Sequence, residues 1–164
     1  MNFFEEVFIS HEQQFVILAQ TAFAMFLGAL IGLDREAANK PAGIRTQMIV
    51  AGASTLIVRL GHIIITVYAF ATEAENLRGD PTRVIVAIIT GISFIGAGTI
   101  IRRREVKDVE GLTTAASLLF STVIGIAVAL SQYIIASGAT GLALITLWVV
   151  GKFQKKISER NGEG

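Results

Sequence analysis

The sequence predicts an all-α fold, a polytopic transmembrane helical bundle of about five spans with the N-terminus outside and the C-terminus cytoplasmic. Three observations carry this. Apolar residues make up 52% of the chain and charged residues 16%, against about 45–50% and about 25% in soluble domains. The charges gather in short patches, and the uncharged runs between them are long enough to cross a hydrocarbon core of about 30 Å. Lysine and arginine sort by loop. Eleven fall in the first loop, third loop and C-terminal tail, two (Arg78 and Arg83) on the other side, and Arg59 lies inside a span. By the positive-inside rule the richer side is cytoplasmic.

The spans cover about residues 15–33, 47–70, 84–101, 112–130 and 133–150, followed by a basic cytoplasmic tail at 151–164, all within one domain, 1–164. Each is near the ~20 residues of a helical crossing, and the ~10-residue alternation of a membrane barrel is missing. Pro41-Ala42-Gly43 breaks the chain between the first two spans. Asp80-Pro81 reads as an N-cap with proline at the first helical position. Arg102, Arg103 and Arg104 close the third span with cations, where the helix dipole and anionic headgroups favour them. Only Ser131 and Gln132 separate the last two spans, which predicts either a tight hairpin or one long bent element. Residues 1–14 carry Glu5, Glu6 and Glu12 but no Lys or Arg, so the first apolar run reads as a retained span rather than a secretory signal.

Several function classes fall away. A net charge of +1 with no basic, aromatic-interleaved stripe gives no nucleic-acid footprint. Cysteine is absent, which removes disulfides, thiolate metal sites and cysteine nucleophiles. The chain has no HExxH, P-loop or nucleophile elbow. No enzyme is expected.

In lipid, small residues that let backbones approach carry helix association. Gly28 and Gly32 form a GxxxG in the first span; Ala87, Gly91 and Gly98 share a face of the third, beside Gly96; Ser121, Gly125 and Ala129 form a ladder in the fourth. Packing within the bundle and homodimerisation both fit. Arg59 stands near the middle of the second span, where arginine costs at least about 2.5 kcal/mol on insertion scales. Thr55, His62 and Thr66 share its helical face. A pathway or pocket, or one paired arginine joining helices or subunits, explains such a stripe.

Gly32-Leu33-Asp34-Arg35-Glu36 with Lys40 to Thr46, then Thr90 to Arg102, then Gly111-Leu112-Thr113-Thr114-Ala115-Ala116-Ser117, resemble in order the three signatures of the MgtC/SapB family of bacterial membrane proteins. The resemblance covers about residues 27–130 and is closest to the short form without the ACT-like C-terminal domain. It implies a cell inner membrane location and a link to growth in low magnesium. In pathogens it also implies survival inside host cells. For the MgtC type proper it implies regulation of the F-type ATP synthase more strongly than transport.

Under the predicted topology all three signatures meet at the cytoplasmic face. They are expected to form a pocket lined by Asp34, Arg35, Glu36, Arg45, Thr46, Thr99, Arg102, Thr113 and Thr114. Asp34 and Glu36 are oxygen donors of the type Mg2+ takes, yet two residues apart on a helix they point roughly 200° away from each other. A salt-bridge network with Arg35 and Arg45, or an ion or anion site helped by the free N–H groups of helix starts at Thr46 and Thr113, fits these residues. Three functions compete. The first is a regulatory or accessory protein of Mg2+ homeostasis acting on another membrane complex, such as the F-type ATP synthase or a magnesium transporter. The second is an ion (Mg2+ or anion) transporter or channel. The third is a module binding lipid or a small ligand. Membrane lipids and a second copy of the chain, as a dimer, are the other expected partners.

Overall fold

The computed structural model describes residues 11–71, 80–102 and 109–161, with side chains described outside 67–71, 101–110 and 150–161. Among the described residues five helices follow one another: α1 (His11–Ala37), α2 (Ile44–Ala71), α3 (Pro81–Thr99), α4 (Leu112–Ala129) and α5 (Tyr133–Asn161). Four of these described helices are long and apolar enough to cross a membrane, and α5 contributes a shorter apolar stretch, Tyr133–Val149. Arg103, Arg104 and Lys107, placed in a basic loop by the sequence, lie outside the described residues.

The first and last breaks share one geometry. After α1, Asn39 takes a left-handed conformation (φ 51°). The Lys40 N–H then bonds the Arg35 carbonyl and the Asn39 N–H bonds that of Glu36. This is a Schellman stop, which satisfies carbonyls the helix would leave open. After α4, Ser131 (φ 59°) does the same, with the Gln132 N–H on Ala127 and the Ser131 N–H on Val128. The choice between hairpin and bent element is thereby decided: the chain turns at Ser131. At α3, Asp80 Oδ1 accepts the Thr82 N–H at 2.9 Å, the cap expected ahead of Pro81.

Two details differ from the sequence reading. The third span ends at Thr99 rather than Ile101, because Ile100 is already extended. Ile101–Arg102 instead pairs antiparallel with Val109–Glu110, as strands β1 and β2 of two residues each. Their apolar and charged side chains gave no alternation from which to tell strand from helix end. The second helix begins at Ile44, earlier than Thr46, while the fourth begins at Leu112, where its span was expected to start.

Helix α4 is the hub of the bundle, touching α1, α2, α3 and α5, while α1 and α2 form the most extensive pair. The apolar core gathers Ala24, Leu27 and Ile31 of α1, Ala51 of α2, Ile124 and Val128 of α4 and Ala136 of α5. Backbone proximity explains why this core can close. A Cβ on Gly28 would stand 2.5 Å from the Gln47 carbonyl oxygen, one on Gly32 would strike Ile44 Cα, and one on Gly125 would strike the Ala51 carbonyl. The GxxxG of α1 therefore serves α2. Gly96 meets Ala115 at ordinary contact distance, whereas Gly91 and Gly98 face no atom of the described chain within 4 Å.

Candidate functional site

One face of α4 carries Thr114, Ser117, Ser121 and Gly125, spaced three or four residues apart and all buried. Along it runs a polar seam. Arg35, in the last turn of α1 and only 5% exposed, donates through Nη2 to Thr114 Oγ1 at 2.7 Å. One turn along α4, Gln47 of α2, fully buried, donates from Nε2 to Ser117 Oγ at 2.9 Å and to the Ala42 carbonyl at 3.2 Å. Its Oε1 accepts from Ser121 Oγ at 2.7 Å. The Ser117 hydroxyl donates to the Thr114 carbonyl at 2.8 Å, which leaves its oxygen lone pairs to accept from Gln47. Further on, Thr55 donates to the Gly125 carbonyl at 2.8 Å.

The bonds made by Arg35, Gln47, Ser121 and Thr55 join α1 and α2 to α4 through buried groups, where an unmatched polar group is costly. The seam thus fixes the register of α1 and α2 on α4. It leaves one group over: Arg35 Nε is buried without a hydrogen-bond partner.

The other signature residues surround this point without joining it. Glu36 Oε2 accepts the Ile44 N–H at 3.2 Å, capping the start of α2. Asp34 is half-buried, and Arg45, Thr46 and Thr113 are exposed. Thr99 donates to the Gly96 carbonyl of its own helix at 2.7 Å. Arg102 places its backbone in the strand pair, and its side chain lies outside the description. Among the described side chains of these nine residues, Arg35 and Thr114 are the two joined by a hydrogen bond. Gln47, Ser117 and Ser121, which hold the seam between them, were not among those nine.

The donor set fits Mg2+ poorly. Magnesium is held by one or two carboxylates with its waters. Here Glu36 is turned to the Ile44 amide, and a buried guanidinium occupies the interior beside Asp34. Among the described residues no group of three or more His, Asp or Glu stands together as a metal site.

The polar stripe of α2 divides. Thr55 belongs to the seam, and Thr66 donates to the His62 carbonyl at 2.8 Å. Arg59 and His62 turn instead into a cavity of about 210 Å3 between α2, α3 and the end of α4. At that same end Gln20 of α1, buried, donates to Ser131 Oγ at 3.1 Å and Tyr133 OH at 2.9 Å. Phe23 meets the Tyr133 ring edge-on at 5.9 Å. These contacts fasten α1 to the α4–α5 turn, a link between residues more than a hundred positions apart that no local spacing announces.

The three signature segments also lie within a stretch shared with known proteins. The model of the MgtC family matches residues 21–156. Protein MgtC of Salmonella typhimurium is 35% identical over 137 residues, covering 83% of this chain and 53% of the relative. Protein SapB of Bacillus subtilis is 34% identical over 140 residues, covering 83% and 59%. The putative magnesium transporter YhiD of Escherichia coli is 29% identical over 133 residues, covering 80% and 59%. The chain thus spans between about half and three-fifths of the length of these relatives. No solved structure matches it. The match over most of the chain, with all three signature segments inside it, makes this protein a member of the MgtC family.

Proposed function

We propose that this protein is a non-enzymatic regulatory or accessory component of Mg2+ homeostasis in the cell inner membrane. It acts by binding another membrane complex at its cytoplasmic end. The observation that carries this reading is the seam itself. The end of the bundle where the signatures meet is built around a buried guanidinium and neutral amide and hydroxyl groups. A fixed positive charge there repels a divalent cation, and the hydrogen bonds hold the helices together rather than opening a path between them. Around Arg35, the exposed Arg45, Thr46 and Thr113 and the Glu36-capped turn offer a polar surface to a partner.

A second reading, a transporter, is supported by the name of the Escherichia coli relative, a putative magnesium transporter. Reconstitution separates the two. Proteoliposomes loaded with a Mg2+ indicator are expected to show no influx above protein-free vesicles. Affinity purification from native membranes is expected to recover a partner complex that is lost on Arg45→Glu. Saturable Mg2+ influx that the Arg35→Leu variant alters would overturn the regulatory reading.

A further inference from the structure

Arg59 is the basic residue inside a span, and no contact within the seam uses it. It is half-buried, and its Nε is buried without a hydrogen-bond partner. His62 lies one helical turn further along, so both heads leave α2 on the same side. Both line the cavity, with Val58, Ile65, Val84 and Leu130 among its apolar walls. Lining also comes from Pro81 at the start of α3 and Ser131 at the end of α4. This is the opposite end of α4 from Thr114. The nearest described carboxylate in sequence to the wall, Asp80, is engaged by the Thr82 N–H and hydroxyl and by Arg83. Among the described residues no carboxylate lines the cavity.

A guanidinium half-buried among apolar walls is costly unless a counter-charge meets it. Its planar fork suits an oxyanion, and the imidazole N–H and Ser131 hydroxyl add donors. At about 210 Å3 the space is below the range of drug-sized pockets and suits one compact charged group. We propose that this cavity binds a single phosphate group, with Arg59 as principal ligand and His62 as second donor. Two sources share that chemistry: the phosphodiester of a membrane lipid and free inorganic phosphate.

The full chain, purified in neutral detergent, is titrated with phosphatidylglycerol and, separately, with diacylglycerol of the same acyl chains, and bound lipid is counted by native mass spectrometry. Inorganic phosphate is titrated alone by calorimetry. Preferential binding of phosphatidylglycerol identifies the lipid headgroup as occupant, and calorimetric binding of phosphate identifies the free anion. In whichever arm binds, Arg59→Gln is expected to weaken affinity about tenfold or more, the worth of one hydrogen bond to a charged group. Arg59→Lys retains part of it, His62→Phe weakens it less, and Arg83→Gln leaves it unchanged. Should Arg59→Gln fail to fold, the order of Arg59→Lys, His62→Phe and the parent protein decides. Equal binding of the two lipids with no phosphate binding, or affinities that Arg59 and His62 variants leave untouched, would overturn the proposal.

Discussion

Arg35 Nη2 and Thr114 Oγ1 lie 2.7 Å apart, a bond that joins the last turn of α1 to the first turns of α4 across 79 residues of sequence. It brings the first and third signature segments into direct contact. Removing the hydroxyl with Thr114→Val leaves a buried charge short of a partner. The expected loss is about 1–3 kcal/mol of stability, read from unfolding of the purified protein in detergent. A double-mutant cycle with Arg35→Leu should show clear coupling. Strict additivity would mean the bond contributes nothing.

Gln47 makes three interactions, two as donor and one as acceptor, so it is the most heavily used side chain of the seam. Hydrogen bonds between membrane helices average about 0.6 kcal/mol. Gln47→Leu is therefore expected to cost about 2 kcal/mol, with Ser121→Ala costing about a third of that. Thermal unfolding followed by circular dichroism checks the ratio.

The glycines separate into two groups. Gly28→Val and Gly125→Val force a side chain against the Gln47 and Ala51 carbonyls and should destabilise by about 1–3 kcal/mol or more. Gly91→Ala and Gly98→Ala meet nothing within the described chain and should fall within about 0.5 kcal/mol of the parent. Equal effects in both groups would contradict the packing.

Hydropathy and the turn and small residues were enough to read the five described helices, four of them long and apolar enough to cross a membrane, the breaks at Pro41 and Asp80, and the close packing at Gly28 and Gly32. Each depends on a local property, such as apolar length, a cap or a missing Cβ. What stayed hidden depends on which face meets which. Ser117 and Ser121 look like any membrane serines, whose default is to bond their own helix. The signal that could have found them is the run Thr114, Ser117, Ser121, Gly125, one polar or small stripe along α4. Gly91 and Gly98 meet no other part of the described chain, and a small-residue face reads alike whether it meets a helix of the bundle, a second copy or lipid. The end of α3 was misplaced because Ile100 and Ile101 continue the apolar run after the backbone has become extended.

Asp80 supplies a pH-dependent contribution outside the spans. The hydrogen bonds from the Thr82 hydroxyl and N–H, with a smaller part from Arg83, hold its carboxyl below the ordinary value of 3.8. A depressed carboxylate stabilises the folded state above its unfolded pKa, and the effect is lost as the pH falls through the folded value. Asp80→Asn should keep the cap but remove this acid-side slope, seen as a flatter stability profile below about pH 4.

The absence of cysteine gives an unlabelled background for mapping which side each end of the bundle occupies. Single cysteines at Lys40 and Thr113 flank the Arg35 contact, and one at Gln132 marks the far end of α4. In intact cells, an impermeant maleimide should reach only Gln132→Cys, while inverted vesicles should expose Lys40→Cys and Thr113→Cys. Labelling of Lys40→Cys and Thr113→Cys from opposite sides, or of both from the cell exterior, would contradict a cytoplasmic end assembled around Arg35.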